Sequence, residues 1–233
     1  MMTKSFTIVF LLFQPVNSLS QQKVLVCQNK DCQKRFSSFS SGEGGLTQMI
    51  ADLLPPEDSK SFIIEASGCL SNCGKGPNVS LNDRTFNGVN DVQTAAAVLE
   101  VGGGIDCPIA LMVAVDMIGQ ACRTTNEKKL KILTSVIDSL EKSNASNSNA
   151  MSHALINRAD AHLDANNPSA ALKDTSLAIE INHLSGRAFR AKADAHEALG
   201  NIAGASEAIE RWAEVNPSFS TKAKKELMRL AAK

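Results

Sequence analysis

Four consecutive residues, Ala159-Asp160-Ala161-His162, recur as Ala193-Asp194-Ala195-His196, and the same 34-residue shift carries Ala171 onto Ala205, Ile179 onto Ala213 and His183 onto Pro217. A period of that length is one helical hairpin per repeat. Neither helix of such a unit buries its apolar face alone, so successive hairpins must stack. Alanines at the repeated positions let the paired helices approach closely, and Asn166-Asn167-Pro168 and Gly200-Asn201 supply the turns within each unit. The spacing predicts units over residues 151–185 and 186–219, closed by a helix over residues 221–232 with Leu227 and Leu230 inward. Upstream, residues 108–122 and 127–142 read as two antiparallel helices around a polar turn. They form a degenerate first unit that would complete a three-unit stack, and the Ser/Asn-rich connection 143–149 follows.

The chain ahead of residue 105 has a different grammar. Glycine, phenylalanine and β-branched residues concentrate there, whereas Ala, Leu, Lys and Glu dominate afterwards. Residues 23–26 form an apolar run that reads as a strand. Leu46, Met49, Ile50, Leu53 and Leu54 then recur with the spacing of one amphipathic helix, stopped by Pro55-Pro56. A second strand is predicted over 61–66 and a β-hairpin over 78–81 and 84–89 around Asn82-Asp83. Asp91 caps a helix through Glu100, with Val92, Ala95, Ala96 and Leu99 inward, and Gly102-Gly103-Gly104 end it. The expected class is α+β, in four parts. A leader occupies residues 1–20, a sheet domain 21–104, the helical pair and linker 105–149, and the repeats with their capping helix 150–233.

Charge excludes a nucleic-acid-binding body. Residues 21–101 carry 7 Lys and Arg against 9 Asp and Glu, and residues 102–233 carry 16 against 15. The basic bias of Lys222, Lys224, Lys225, Arg229 and Lys233 reads as cations near a helix's negative pole. At the N-terminus, Lys4, an eight-residue apolar run over 6–13, Gln14-Pro15 and Ser18-Leu19-Ser20 have the layout of a secretory signal peptide. That run is far short of the roughly 20 apolar residues a spanning helix needs, so no stable membrane insertion is expected once the leader is removed.

Four of the six cysteines sit as Cys27-x4-Cys32 and, after 36 intervening residues, Cys69-x3-Cys73. Each pair follows an apolar run, so each reads as the loop at a strand's C-terminal end, and two such loops can converge on one sheet edge. Three chemistries use such a set: disulfides, which a secreted chain favours; a structural zinc site, usually built with a tight Cys-x2-Cys that is absent here; and an iron–sulfur cluster. Gly68, Gly74 and Gly76 around the second pair suit the last, because they let backbone N–H groups approach cluster sulfides. Cys107 and Cys122 lie outside both loops and read as buried thiols. No Ser/His/Asp set, phosphate loop or paired carboxylates suggest an independent active site, so no enzyme is expected.

Cys27-x4-Cys32 followed by Cys69-Leu70-Ser71-Asn72-Cys73-Gly74-Lys75-Gly76-Pro77-Asn78-Val79 resembles the thioredoxin-like 2Fe-2S ferredoxin family over about residues 23–101. The strand and helix order above matches that family's mixed four-stranded core. The resemblance implies one 2Fe-2S cluster on four thiolates, with Cys27 and Cys32 on one iron and Cys69 and Cys73 on the other. It also implies a one-electron carrier with a redox partner protein, and Lys30, Lys34, Arg35 and Lys75 would steer an acidic partner.

Residues 152–219 resemble the tetratricopeptide repeat family, which implies a concave groove that binds a peptide or partner protein. First-helix positions would line it: His153, Ile156, Asp160 and Leu163 in one unit, and Arg187, Arg190, Asp194 and Glu197 in the other. Arg187, Arg190 and Asp194 are the expected partner contacts. The alternative is a non-redox scaffold whose thioredoxin-like domain carries disulfides or has lost its cluster. Leader and cluster together point to an organelle reached by the secretory route, the plastid first, with export as the alternative.

Overall fold

Strand β1 (Gln22–Cys27) is the axis of a four-stranded mixed sheet ordered β2-β1-β3-β4. It runs parallel to β2 (Phe62–Ser67), in register from Gln22 with Phe62 to Cys27 with Ser67. On its other side it is antiparallel to β3 (Asn78–Leu81), which folds back on β4 (Arg84–Asn87). Asn82 and Asp83 take positive φ, 50° and 61°, the geometry a two-residue hairpin turn demands. A parallel pair needs a crossover, and helices α1 (Lys30–Arg35) and α2 (Gly45–Leu53) lie in it. The computed structural model describes residues 21–36 and 45–232. The leader, residues 37–44, which are rich in Ser and Gly in the sequence, and Lys233 lie outside the described residues.

Val24, Val26, Val79 and Leu81 are fully buried and share a core with Met49, Ile50 and Leu53 of α2 and with Val92, Ala95 and Leu99 of α3 (Val92–Gly103). Asp91 caps α3 as the sequence predicts, in a reciprocal box with Thr94. The glycines behave differently from expectation. Gly102 and Gly103 stay helical and serve close packing, since a Cβ on either would come within 2.9 Å of Leu81 or Phe62; only Gly104, at φ 72°, turns the chain out of the helix.

A second difference is α1, in a stretch read as a polar loop. The Asn29 side chain accepts the Asp31 N–H at 3.0 Å, Asp31 opens the helix and Lys34 and Arg35 close it, which suits the dipole at both ends. Six residues are too few to carry an apolar stripe, and Cys32 alone faces inward.

All described strands precede α3, and helices follow. They are α4 (Ile109–Ala121), α5 (Asn126–Lys142), α6 (Asn149–Asp164), α7 (Pro168–Ile181), α8 (Gly186–Ala198), α9 (Ile202–Val215) and α10 (Ser220–Ala231). The repeat survives in detail. Both ends of α9 fall 34 residues after those of α7, Asn167 and Asn201 each cap the following helix, and Asn182 and Asn216 end them with the same φ of −133°. Ala159, Ala161, Ala171, Ala195 and Ala205 are wholly buried where the helices meet. Trp212, which replaces Ala178 in the second unit, stacks on Phe219 at 5.4 Å beneath α10, and Leu230 and Leu227 of α10 join that cluster.

One apolar core runs from the sheet through α4, α5 and α6 as far as Ala188. Helix α2 belongs to both halves of it. The His153 Nδ1 of α6 lies 2.6 Å from the Asp52 carboxylate, Gln48 donates to the same carboxylate at 2.7 Å, and Asn149 donates to the Ala51 carbonyl at 3.1 Å. Among the described residues no helix is long and apolar enough to cross a membrane.

Candidate metal centre

The register of β1 against β2 decides where the cysteines go. Cys27 and Ser67 end the two parallel strands side by side, and the Gln28 N–H donates to the Ser67 carbonyl at 2.9 Å, so both chains leave the sheet at one edge. From β1 the chain turns through Asn29 into α1, which sends Cys32 inward; Cys27 is 4 % exposed and Cys32 1 %. From β2 it passes Gly68, the exposed Cys69 and Leu70, bends at Ser71 with φ 66°, and enters a 3-10 turn over Cys73–Lys75. Gly76 and Pro77, joined by a cis peptide bond, lead into β3.

The two loops are bonded to each other. Burial pushes the Cys27 thiol up, yet N–H groups of Asn29 and Leu70 and the Cys32 thiol all bond to its sulfur and together hold its pKa below the ordinary cysteine value. Asn29 belongs to the first loop and Leu70 to the second. The Arg35 guanidinium donates to the Gly74 carbonyl at 2.6 Å, pinning α1 to the 3-10 turn. A Cβ built on Gly76 would sit 2.5 Å from the Cys32 sulfur, so only glycine lets this main chain come so close to that side chain. The Asn72 carbonyl takes the Lys75 N–H and the Asn78 side-chain amide, both at 2.9 Å. Asn78 is wholly buried, and its Oδ1 has no hydrogen-bond partner among the described residues.

The residues fit an iron–sulfur cluster on three counts. The sulfurs of Cys27 and Cys32 are in contact, as two ligands of one iron must nearly be. Backbone N–H groups stabilise the thiolate form that ligation requires, and a glycine holds main chain against a sulfur. Among the described residues no three His, Cys, Asp or Glu side chains gather around one point. A dinuclear cluster distributes two thiolates to each iron. Of the three predicted glycines, Gly76 makes a close approach; a Cβ on Gly68 or Gly74 would meet nothing within 4 Å among the described residues, and Gly74 serves through its carbonyl.

Cys27 and Cys32 also line a cavity of about 480 Å³ with Phe36, Leu46 and Thr47. Ala66 of β2 and Pro77, which leads from the second loop into β3, line it too. Cys107 is buried far from either loop in sequence, and burial, then Asp106, Glu100 and Asp58, push its thiol up to about 11. Cys122 is only half-buried, with its thiol 3.4 Å from the Asn157 side-chain oxygen.

In the helical half, the predicted contact residues are engaged with one another. Arg187 of α8 reaches back to Asp160 of α6 at 2.8 Å, and Arg190 pairs with Asp194 at 2.8 Å and with Glu226 of α10 at 3.7 Å. Burial raises the Asp194 carboxyl although Arg190 works against it. Glu197 is held by Arg229 at 2.5 Å. Sequence reasoning missed Arg35 and Asn78 as supports of the cysteine loops; the one signal available was the polar Asn78 at the start of β3. No family model and no curated protein sequence matches the chain.

Proposed function

We propose that this chain is a one-electron carrier of the thioredoxin-like 2Fe-2S ferredoxin type, in which tetratricopeptide-like hairpins dock a partner protein or peptide. The observation that carries this reading is the sulfur of Cys27, which takes N–H donors from both cysteine loops at once. Two loops 36 residues apart in the chain converge there on one sheet edge, with the four cysteines distributed between them.

A 2Fe-2S cluster, when bound, stores and releases one electron. Cys27 and Cys32 would hold one iron, and Cys69 and Cys73 the other. The N–H groups of Asn29 and Leu70 draw electron density from the Cys27 sulfur, which raises the potential relative to a site without them. Gly76 allows the second loop to close over Cys32. The Arg35 bond to Gly74 ties the two loops together and would limit their rearrangement during electron transfer. Exposed Cys69 brings the site to the surface, where a partner can reach it.

The docking role of the hairpins rests on the recurrence of helices and caps at a 34-residue period within the chain. Arg187, Arg190 and Asp194 already have partners within the chain, so a bound peptide would exchange ion pairs with them. The leader and the cluster together fit an organelle reached by the secretory route, the plastid ahead of export.

Contact between the Cys27 and Cys32 thiols also favours a second reading, a non-redox scaffold in which these two residues form a disulfide. Protein purified without oxygen, or reconstituted with iron and sulfide, separates the two. Brown protein with a rhombic paramagnetic signal that appears on one-electron reduction supports the carrier. Colourless protein after reconstitution, with Cys27 and Cys32 bridged in non-reducing mass spectrometry, supports the scaffold.

A further inference from the structure

The convergence of the two loops also gathers charge. Lys30 and Lys34 stand one helical turn apart on α1, both exposed. Arg35, next to Lys34, is bonded to the carbonyl of Gly74, next to Lys75. That contact ties α1, which carries Lys30 and Lys34, to the turn that carries the exposed Lys75. A carbonyl does not neutralise a guanidinium, so Arg35 keeps its charge. Among the described residues no carboxylate pairs with Lys30, Lys34 or Lys75, and Asp31 is the one acidic side chain within the two loops. The chain as a whole has a formal charge of zero, so this local excess is balanced elsewhere and gives the molecule an electrostatic direction.

Resting on the carrier reading, we propose that the rim formed by Lys30, Lys34, Arg35 and Lys75 is the docking surface for an acidic redox protein. Approach of a carboxylate-rich surface to this rim would set it against the exposed Cys69, the point at which the proposed site reaches solvent. The rim suits a protein and not a nucleic acid. Four cations on one edge of a neutral chain lack the extended basic track that a phosphate backbone needs. The hairpins and the rim would then divide the work, the first holding a partner and the second orienting the electron donor or acceptor.

The test is calorimetric titration of the full chain, with and without reconstituted cluster, with a short poly-glutamate peptide at low salt. The expected result is binding that weakens about tenfold or more as salt rises to physiological strength. It should be lost in the triple variant Lys30→Glu, Lys34→Glu, Lys75→Glu and kept in the control Lys222→Glu, Lys224→Glu, Lys225→Glu. These side chains are exposed, so circular dichroism should be unchanged in both. Absence of binding, equal loss in both variants, or tighter binding of a single-stranded oligonucleotide at the same site would overturn the proposal. Failure of the carrier reading is recognised separately, as a chain that takes up no iron. In the loaded, reduced chain, oxidation by anionic hexacyanoferrate(III) should slow with salt and oxidation by cationic hexaammineruthenium(III) should quicken. Both trends should reverse in the triple variant, and a rate indifferent to the three substitutions would contradict the proposed rim.

Discussion

A single methyl group tests the closest approach in the site. Gly76→Ala would set a Cβ 2.5 Å from the Cys32 sulfur, and either the second loop or α1 must move. We expect a stability loss of about 1–3 kcal/mol in the metal-free chain and a marked fall in iron retained per chain, measured by thermal melting and iron analysis. Gly68→Ala, whose added Cβ meets nothing within 4 Å among the described residues, should fold with unchanged stability. Cys107 gives a pH signature. Its thiol stays protonated up to about 11 when folded, while the unfolded thiol titrates near its ordinary value. Its contribution is therefore fully present below about pH 9 and is lost as pH rises through about 11, and Cys107→Ala should remove that part of the decline. The four cysteines were legible because their spacing is local. Arg35 and Asn78 were not, because Arg35 acquires its role from Gly74, 39 residues away, and Asn78 from a fold-dependent contact with Asn72.

Elements with a period announced themselves; elements without one did not. The hairpins α6–α7 and α8–α9 follow from the 34-residue repeat and its alanines, and the sheet follows from short apolar runs and the Asn82-Asp83 turn. Helix α1 escaped notice because six residues with one inward side chain show no periodicity. His153 was read as a groove residue, but α6 meets α2, and the imidazole turns to the buried Asp52. Between α6 and α7, Arg158 makes two bonds to the Asp174 carboxylate, at 2.8 and 2.7 Å, and Asp174 is 2 % exposed. Arg158→Met would strand that carboxylate in the core and should cost about 3–5 kcal/mol in urea denaturation, whereas Asp174→Leu in the same chain should recover much of the loss. No recovery would mean that the pair's value lies in packing alone.

The molecule has a long shared core and a smaller terminal one. Sheet, α2 and α4 to α6 bury their apolar faces together, while Phe189, Ile209, Trp212 and Leu230 form a separate cluster at the end of the stack. Native-state hydrogen exchange should therefore show α9 and α10 opening at lower free energy than β1, β3 and α6, which should exchange as one unit. Uniform protection across all of these would contradict that division. The central claim is that two cysteine loops hold one cluster between them, and it is tested most directly by iron and acid-labile sulfide per chain after anaerobic reconstitution. Equal amounts of both, sufficient for one 2Fe-2S cluster per chain and lost together in Cys27→Ala and Cys69→Ala, are predicted; a chain that retains neither would contradict the account.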